Sequence, residues 1–316
     1  MADTLFQYPG GKSGQFNRIE GMMPDHECFV EGFGGSGVIT LNKKPAEVDV
    51  YNDLDSELVH FFLVYREAND RLVDWIEKVP YSYETYEDFV DAFYGKAGED
   101  PDGSLPAEPI TDNLATGADI SHNHVRRAGI FFTLRYLQFG AKYQGRSGFG
   151  RSKVQNGAQT FKNATKRLRE FAGVWDHVTL ENVSYEKLID TYDSEDTLFY
   201  FDPPYIGTEG YYRESDFSHR NFCNDLERID GYWIVSYDEI PKQLEKYHIT
   251  VEESTNFIDS GMKGEGKDTI ETVVTNFDPE DVRKFTTTGQ AGLAYGQFNT
   301  EPSSNGESSS KDTGSG

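Results

Sequence analysis

Short runs rich in β-branched and aromatic residues recur along the 316-residue chain, and the segments that connect the early runs leave few folds open. Glu27 to Glu31 (ECFVE) leads into a Gly-rich stretch, Gly32 to Gly37, after which Val38 to Asn42 has helical character. Glu47 to Tyr51 (EVDVY) alternates and ends at Asn52-Asp53; Leu58, Val59, Phe62 and Leu63 then fall at helical spacing behind a cap at Asp55 or Ser56. Further strand-like runs lie at Val178 to Val183, Thr197 to Phe201 (TLFYF), Tyr232 to Ser236, His248 to Glu252 and Glu271 to Phe277. Strands alternating with helices imply crossover connections, so the expected core is α/β with a mostly parallel sheet.

Residues from about 69 to 170 break that rhythm. An acidic helical stretch is followed by a Pro/Gly/Asp-rich loop near 95 to 120 and then by a basic segment with a Gly-rich centre, which reads as an insertion. The expected organisation is therefore a first catalytic part over 1–68, a largely helical insert over 69–170, a second catalytic part over 171–299, and a disordered Ser/Gly/Glu tail over 300–316. The longest apolar run, Phe61 to Tyr65, is far shorter than the roughly 20 residues of a membrane-spanning helix, so no membrane association is expected. Met1 to Lys12 has neither a basic flank nor an apolar stretch, which predicts no secretory signal and a cytoplasmic protein. Cys28 and Cys223 are too few for a thiolate zinc site, and the seven His show no paired ligand spacing, so no metal is expected.

The formal charge of −24 argues against a nucleic-acid partner at first sight, because phosphate binding normally leaves a basic footprint. The acid excess, however, is spread along the chain, as at Glu84 to Asp91 and Glu99 to Asp102. Such a surface suits concentrated salt, where the Debye length falls to about 3 Å at 1 M and self-repulsion is screened. Against that background, Arg126 to Arg169 contains 11 Lys or Arg and no Asp or Glu, although acids outnumber bases 54 to 30 overall. A cationic island of this kind is a candidate DNA contact.

Three motifs carry chemistry. Asp202-Pro203-Pro204-Tyr205 stands at the C-terminal end of the apolar run TLFYF, where open α/β sheets place ligands. An exocyclic amino group on a purine is a weak nucleophile, its lone pair being delocalised into the ring. The Asp202 carboxylate and the Pro203 carbonyl are suited to accept one N–H each and so localise that pair. The two prolines stiffen the turn, and Tyr205 offers a face for a base flipped out of a duplex. Phe33-Gly34-Gly35-Ser36-Gly37 after ECFVE lets backbone pass close to a ligand, and Asp53 at the end of the next strand stands where an acidic side chain takes ribose hydroxyls. Tyr8-Pro9-Gly10-Gly11-Lys12 adds an aromatic, a flexible turn and a cation suited to a cofactor carboxylate.

In order and spacing these motifs resemble the Dam-type DNA adenine methyltransferases, with aromatic-x-Gly-Gly-Lys first, Phe-x-Gly-x-Gly and an acidic strand end next, and Asp-Pro-Pro-Tyr late. Arg127 to Lys153 looks like that family's helix and Gly-rich basic loop for target recognition, and Glu271 to Phe277 like its terminal strand. The resemblance implies a Rossmann-like S-adenosylmethionine-dependent methyltransferase fold with an inserted recognition domain, and S-adenosylmethionine as methyl donor. It implies a cofactor site lined by Tyr8, Lys12, Phe33, Gly35, Gly37, Asp53, Asn182 and Asp202. The catalytic group would be Asp202, Pro203, Pro204 and Tyr205. Contacts to double-stranded DNA would come from Arg135, Lys142, Arg146, Arg151 and Lys153, in a monomer. The same pocket logic also serves N4 of cytosine, adenine in RNA or a protein glutamine, though related families tend to carry Ser or Asn where Asp202 stands. A non-catalytic DNA-binding regulator is the reading from a different class.

Overall fold

A computed structural model of the chain describes residues 2–8, 10–94, 108–111, 119–139, 147–206, 217–256 and 267–281. Lys142 and Arg146, most of the loop near 95 to 120 and the tail over 300–316 lie outside the described residues. All seven expected strands form one sheet: β1 (Cys28–Glu31), β2 (Val48–Asn52), β3 (Val178–Glu181), β4 (Thr197–Phe201), β5 (Tyr232–Tyr237), β6 (His248–Asn256) and β7 (Lys267–Thr275). Their order is β3-β2-β1-β4-β5-β7-β6; β1 to β5 pair in parallel, and β7 runs antiparallel between β5 and β6. The fold is thus the expected mixed α/β methyltransferase architecture.

Burial follows from coverage on both sheet faces. Every residue of β4 is buried, which is why TLFYF reads as an unbroken apolar run and does not alternate. One face of the sheet, including Val30, Val50, Phe199, Phe201 and Val235, packs on α8 (Tyr185–Tyr192) and α9 (His219–Leu226). The other carries Phe29, Leu198, Tyr200 and Ile234 against α1 (Phe16–Glu20) and α2 (Val38–Asn42). Sequence order departs from β1 in one direction through β2 and β3, and in the other through β4 and β5. The crevice beyond the C-terminal ends of β1 and β4 is therefore the switch point at which such sheets bind ligands.

Helix α3 (Ser56–Glu67) starts at an Asp55 cap whose side chain accepts from the Glu57 amide, at 2.8 Å. It shares one hydrophobic core with α4 (Asn69–Ile76), α5 (Tyr83–Tyr94), α6 (His122–Leu137) and α7 (Gly157–Glu170). Phe6 packs edge-on against Phe61 of α3 at 5.2 Å and Phe131 of α6 at 5.8 Å between ring centroids. The inserted helices accordingly complete the core of α3 instead of forming a separate one.

Within this core, His60 is fully buried, accepts from the Ile110 amide at Nδ1 (2.9 Å) and lies 3.1 Å through Nε2 from the His124 carbonyl. Because an amide fills Nδ1, Nε2 carries the proton. Burial lowers the His60 pKa to about 3, with Arg127 and His124 acting in the same direction and the His124 carbonyl against it. A histidine depressed in the fold favours the folded state above its unfolded value near 6.5, and that contribution disappears as pH falls below it, at about 1.4 kcal/mol per pH unit. Urea titration should show the stability gap between the parent and His60→Gln shrinking by about 2 kcal/mol from pH 7 to pH 5. A gap independent of pH over that interval would show that His60 titrates normally.

Candidate functional site

The switch-point crevice is a cleft of about 290 Å³. Of the residues singled out in the sequence, Tyr8, Lys12, Phe33, Gly35, Asp53, Asp202 and Pro204 line it. Side chains from the N-terminal turn, the ends of β1 and β2 and the end of β4, distant in sequence, are thereby brought to one wall.

The Gly-rich loop forms the floor. Gly35 and Gly37 adopt φ of 51° and 65°, the left-handed region that favours glycine. Neighbouring rings close in as well: a Cβ on Gly34 would fall 2.1 Å from Tyr51, and one on Gly37 2.6 Å from Trp175. Only backbone fits there, and the loop amides are held within the fold, that of Gly34 by the Asn52 carbonyl (2.8 Å) and that of Gly37 by the Gly34 carbonyl (2.8 Å). Asp53, just past β2, accepts the Gly35 amide at 2.9 Å and the Asp55 amide at 2.8 Å. Burial pushes its carboxyl up to about 7, with Asp55 adding to the rise and the three backbone amides opposing it. A carboxylate has about four lone-pair sites, so even with the Gly35, Asp55 and Leu54 amides beside it one is left for a ligand hydroxyl.

Asn182 stands one step behind this wall. Its amide donates to the Asp53 and Leu54 carbonyls at 2.8 and 3.0 Å, and the Ser56 hydroxyl donates to it at 3.3 Å, so it supports the strand end that carries Asp53.

At the other end, the turn Tyr8 to Gly11 is closed by the Gly11 amide on the Tyr8 carbonyl (3.1 Å) and delivers Lys12 into the fold, where it is 6 % exposed. The ammonium contacts Asp202 Oδ1 at 2.9 Å and donates to the Tyr205 hydroxyl at 2.5 Å. The first motif is therefore joined to the Asp-Pro-Pro-Tyr turn directly. Pro203 and Pro204 are both buried, Pro204 alone of the two lining the cleft, and Tyr205 is half-buried.

Sequence reasoning passed over several residues here. Glu31 ends β1, is 2 % exposed, lines the cleft, and takes both the amide (2.9 Å) and the hydroxyl of Thr40 on one oxygen. Burial pushes its carboxyl up to about 7 against these two bonds, and Asp202 adds to the rise. An acid closing an apolar run was a visible signal, since its backbone pairs beside Tyr200, two residues before Asp202. Phe217 also lines the cleft and packs on Phe33 at 5.6 Å; nothing in its local sequence marks it.

The basic segment requires a correction. Arg135 is 1 % exposed, with its guanidinium 5.0 Å from the Phe131 ring and donating to the Tyr94 hydroxyl at 2.9 Å, so it is a core residue of α6 and not a phosphate contact. Arg127 is likewise buried, forked onto Glu57, and Arg169 is taken up by Asp70, Asp74 and Glu77. The island is thus partly neutralised by acids from other helices. Arg151 and Lys153 are exposed, and Arg151 rests 5.0 Å over Tyr83 and 5.6 Å over Phe149. Such stacking holds the guanidinium while leaving its donors to solvent.

Among the described residues no cluster of His, Cys, Asp or Glu is placed to hold a metal ion, and no helix is long and apolar enough to cross a membrane. No curated protein matches the chain. Residues 8–269 match the family described as D12 class N6 adenine-specific DNA methyltransferase, a span that takes in the N-terminal turn, the Gly-rich loop, the insert and the Asp-Pro-Pro-Tyr turn. The chain belongs to the D12 class of N6 adenine-specific DNA methyltransferases.

Proposed function

We propose that the cleft takes S-adenosylmethionine as methyl donor, and that the Asp202–Tyr205 turn receives an adenine flipped out of double-stranded DNA. The observation that carries this reading is one cleft lined by Asp53 and by the Lys12–Asp202 pair, with Tyr205 joined to that pair through Lys12. Its fit to a nucleoside cofactor rests on the Asp53 carboxylate, which lines the cleft with acceptor capacity left over, and on the Gly34–Gly35 backbone beside it, which puts no side chain into the space. When bound, the cofactor supplies an electrophilic methyl group.

The protein's own residues do the rest. Asp53 takes ribose hydroxyls, Tyr8, Phe33, Gly35 and Gly37 shape the wall, and Asn182 holds the Asp53 segment. Asp202 and the Pro203 carbonyl accept the two amino N–H bonds, turning the nitrogen lone pair toward the methyl group without full deprotonation. Pro204 fixes the turn, Tyr205 stacks on the extruded base, and Lys12 keeps Asp202 and Tyr205 in register. Arg151 and Lys153, with Lys142 and Arg146, meet the duplex phosphates, and a monomer suffices for a single target base. Methyl-labelled S-adenosylmethionine should place label in N6-methyladenine of duplex DNA, and far less in the separated strands. Label confined to single strands, or none transferred from this donor, would reject the proposal.

Asp53 adds a pH signature. A carboxyl raised to about 7 is protonated at pH 6, loses acceptor capacity and binds hydroxyls more weakly. Cofactor affinity should therefore fall with acidification, by no more than about tenfold between pH 8 and pH 6. Asp53→Asn should flatten that part of the profile, and Asp53→Ala should weaken binding by about 1.5 to 3 kcal/mol. Calorimetry finding the parental affinity in Asp53→Ala would remove Asp53 from the site.

A further inference from the structure

Tyr51 and Asn52 at the end of β2, with Asp53 just past it, hold four backbone groups of the Gly-rich loop. Asn52 donates its side-chain amide to the Gly32 carbonyl (2.9 Å), offers its own carbonyl to the Gly34 amide (2.8 Å), and takes the Val183 amide on its side-chain oxygen (2.9 Å). Asp53 takes the Gly35 amide. Tyr51 completes the set: fully buried, it donates its hydroxyl to the Gly35 carbonyl at 2.7 Å, and its ring occupies the space that a Cβ on Gly34 would need. The ring is itself fixed between Phe62, at 4.6 Å, and Trp175, at 5.5 Å. Gly35 is consequently gripped from both ends, N–H by Asp53 and C=O by Tyr51, while it holds a positive φ of 51°. With the peptide groups on both sides of Gly35 fixed, the loop backbone that lines the cleft cannot reorient, and such preorganisation spares a ligand the cost of ordering the loop.

We infer that Tyr51 is a positioning residue for the cofactor cleft, setting the orientation of the Gly34–Gly35–Ser36 backbone through its hydroxyl without touching the ligand. The inference rests on the reading of this cleft as the S-adenosylmethionine site. Ordinary packing does not need the hydroxyl, since the ring alone fills the gap, so Tyr51→Phe separates the two roles. Calorimetry on the full chain with S-adenosylmethionine, and with S-adenosylhomocysteine as a stable probe, should show Tyr51→Phe weakening both by about three- to tenfold, the worth of one net hydrogen bond. A loss of global stability alone does not alter affinity while the protein remains folded, so the shift should persist well below the unfolding transition. Tyr51→Phe combined with Asp53→Asn should lose less than the product of the two single effects, because both hold the same residue, Gly35.

Gly34→Ala supplies an independent approach from the loop side. Its methyl displaces the ring, weakens binding at least tenfold, and leaves little for Tyr51→Phe to add. Affinities of Tyr51→Phe within twofold of the parent, or strict multiplicativity with Asp53→Asn, overturn the inference. Parental affinity in Asp53→Ala overturns instead the reading of the cleft, so the two failures are distinct.

Discussion

Asp202→Ala should lower the single-turnover rate of adenine methylation at least about a hundredfold, the typical cost of one preorganised electrostatic partner, while duplex binding changes little. The amino nitrogen of adenine attacks only when its lone pair leaves conjugation with the ring. The carboxylate proposed to accept its hydrogen, Asp202, follows a fully buried strand and precedes two prolines, with Lys12 against Oδ1. Asp202→Asn provides the sharper comparison, since it keeps the shape but replaces one acceptor with a donor facing the Lys12 ammonium. It should be impaired as severely as Asp202→Ala. Tyr205 gives a graded companion. Tyr205→Ala removes a stacking face worth about 1 to 3 kcal/mol. Tyr205→Phe retains the face but loses the 2.5 Å bond from Lys12, so it should cost about 1 kcal/mol and not be silent. Quench-flow on a fixed duplex would rank the variants, and the parental rate in Asp202→Ala would defeat the assignment.

The parts of this enzyme legible in its sequence are those whose signal is local. A strand covered on both faces has to be apolar, and TLFYF very largely is; the residues that follow it, Asp-Pro-Pro-Tyr, bring Asp202 and Pro204 to the cleft. The glycines of Phe33 to Gly37 are where positive φ and crowding by Tyr51 and Trp175 leave no alternative. What stayed hidden depends on the partner strand or helix. That the Asn182 amide rests on the Asp53 and Leu54 carbonyls is visible only once β3 lies beside β2. Glu31 and Phe217 become cleft residues only through the β1–β4 pairing and the return of chain after β4. Charge counting in a window failed for a similar reason. Arg127, Arg135 and Arg169 find their partners at Glu57, at Tyr94 and Phe131, and at Asp70, Asp74 and Glu77, nearly all outside the window. Helix α6 is buried over most of its circumference, so the position of an Arg on it did not reveal which way its side chain faced.

The Arg127–Glu57 pair carries the largest stability effect expected in this protein. Arg127 and Glu57 are 7 % and 2 % exposed, and the guanidinium meets the carboxylate in a two-pronged fork, Nε to Oε2 at 2.9 Å and Nη2 to Oε1. Glu57 lies in the first turn of α3, where the helix dipole also favours an anion. Burying both charges is expensive, and their attraction offsets that cost only while both are present. Glu57→Ala should therefore destabilise by about 3 to 5 kcal/mol, the usual penalty for stripping one partner from a buried pair. In a chain of this size that lowers the melting temperature by roughly 6 to 20 °C. The double variant Glu57→Leu with Arg127→Met removes both charges and keeps apolar bulk, so it should recover most of the loss. The consequence reaches the reaction, because α3 begins three residues beyond Asp53 and α6 precedes the segment bearing Arg151 and Lys153. Loosening this joint should weaken DNA binding in Glu57→Ala before it affects cofactor affinity, since Asp53 remains held by Gly35 and Asn182. Calorimetric unfolding that places Glu57→Ala within about 1 kcal/mol of the parent would mean that the pair is solvated and joins nothing.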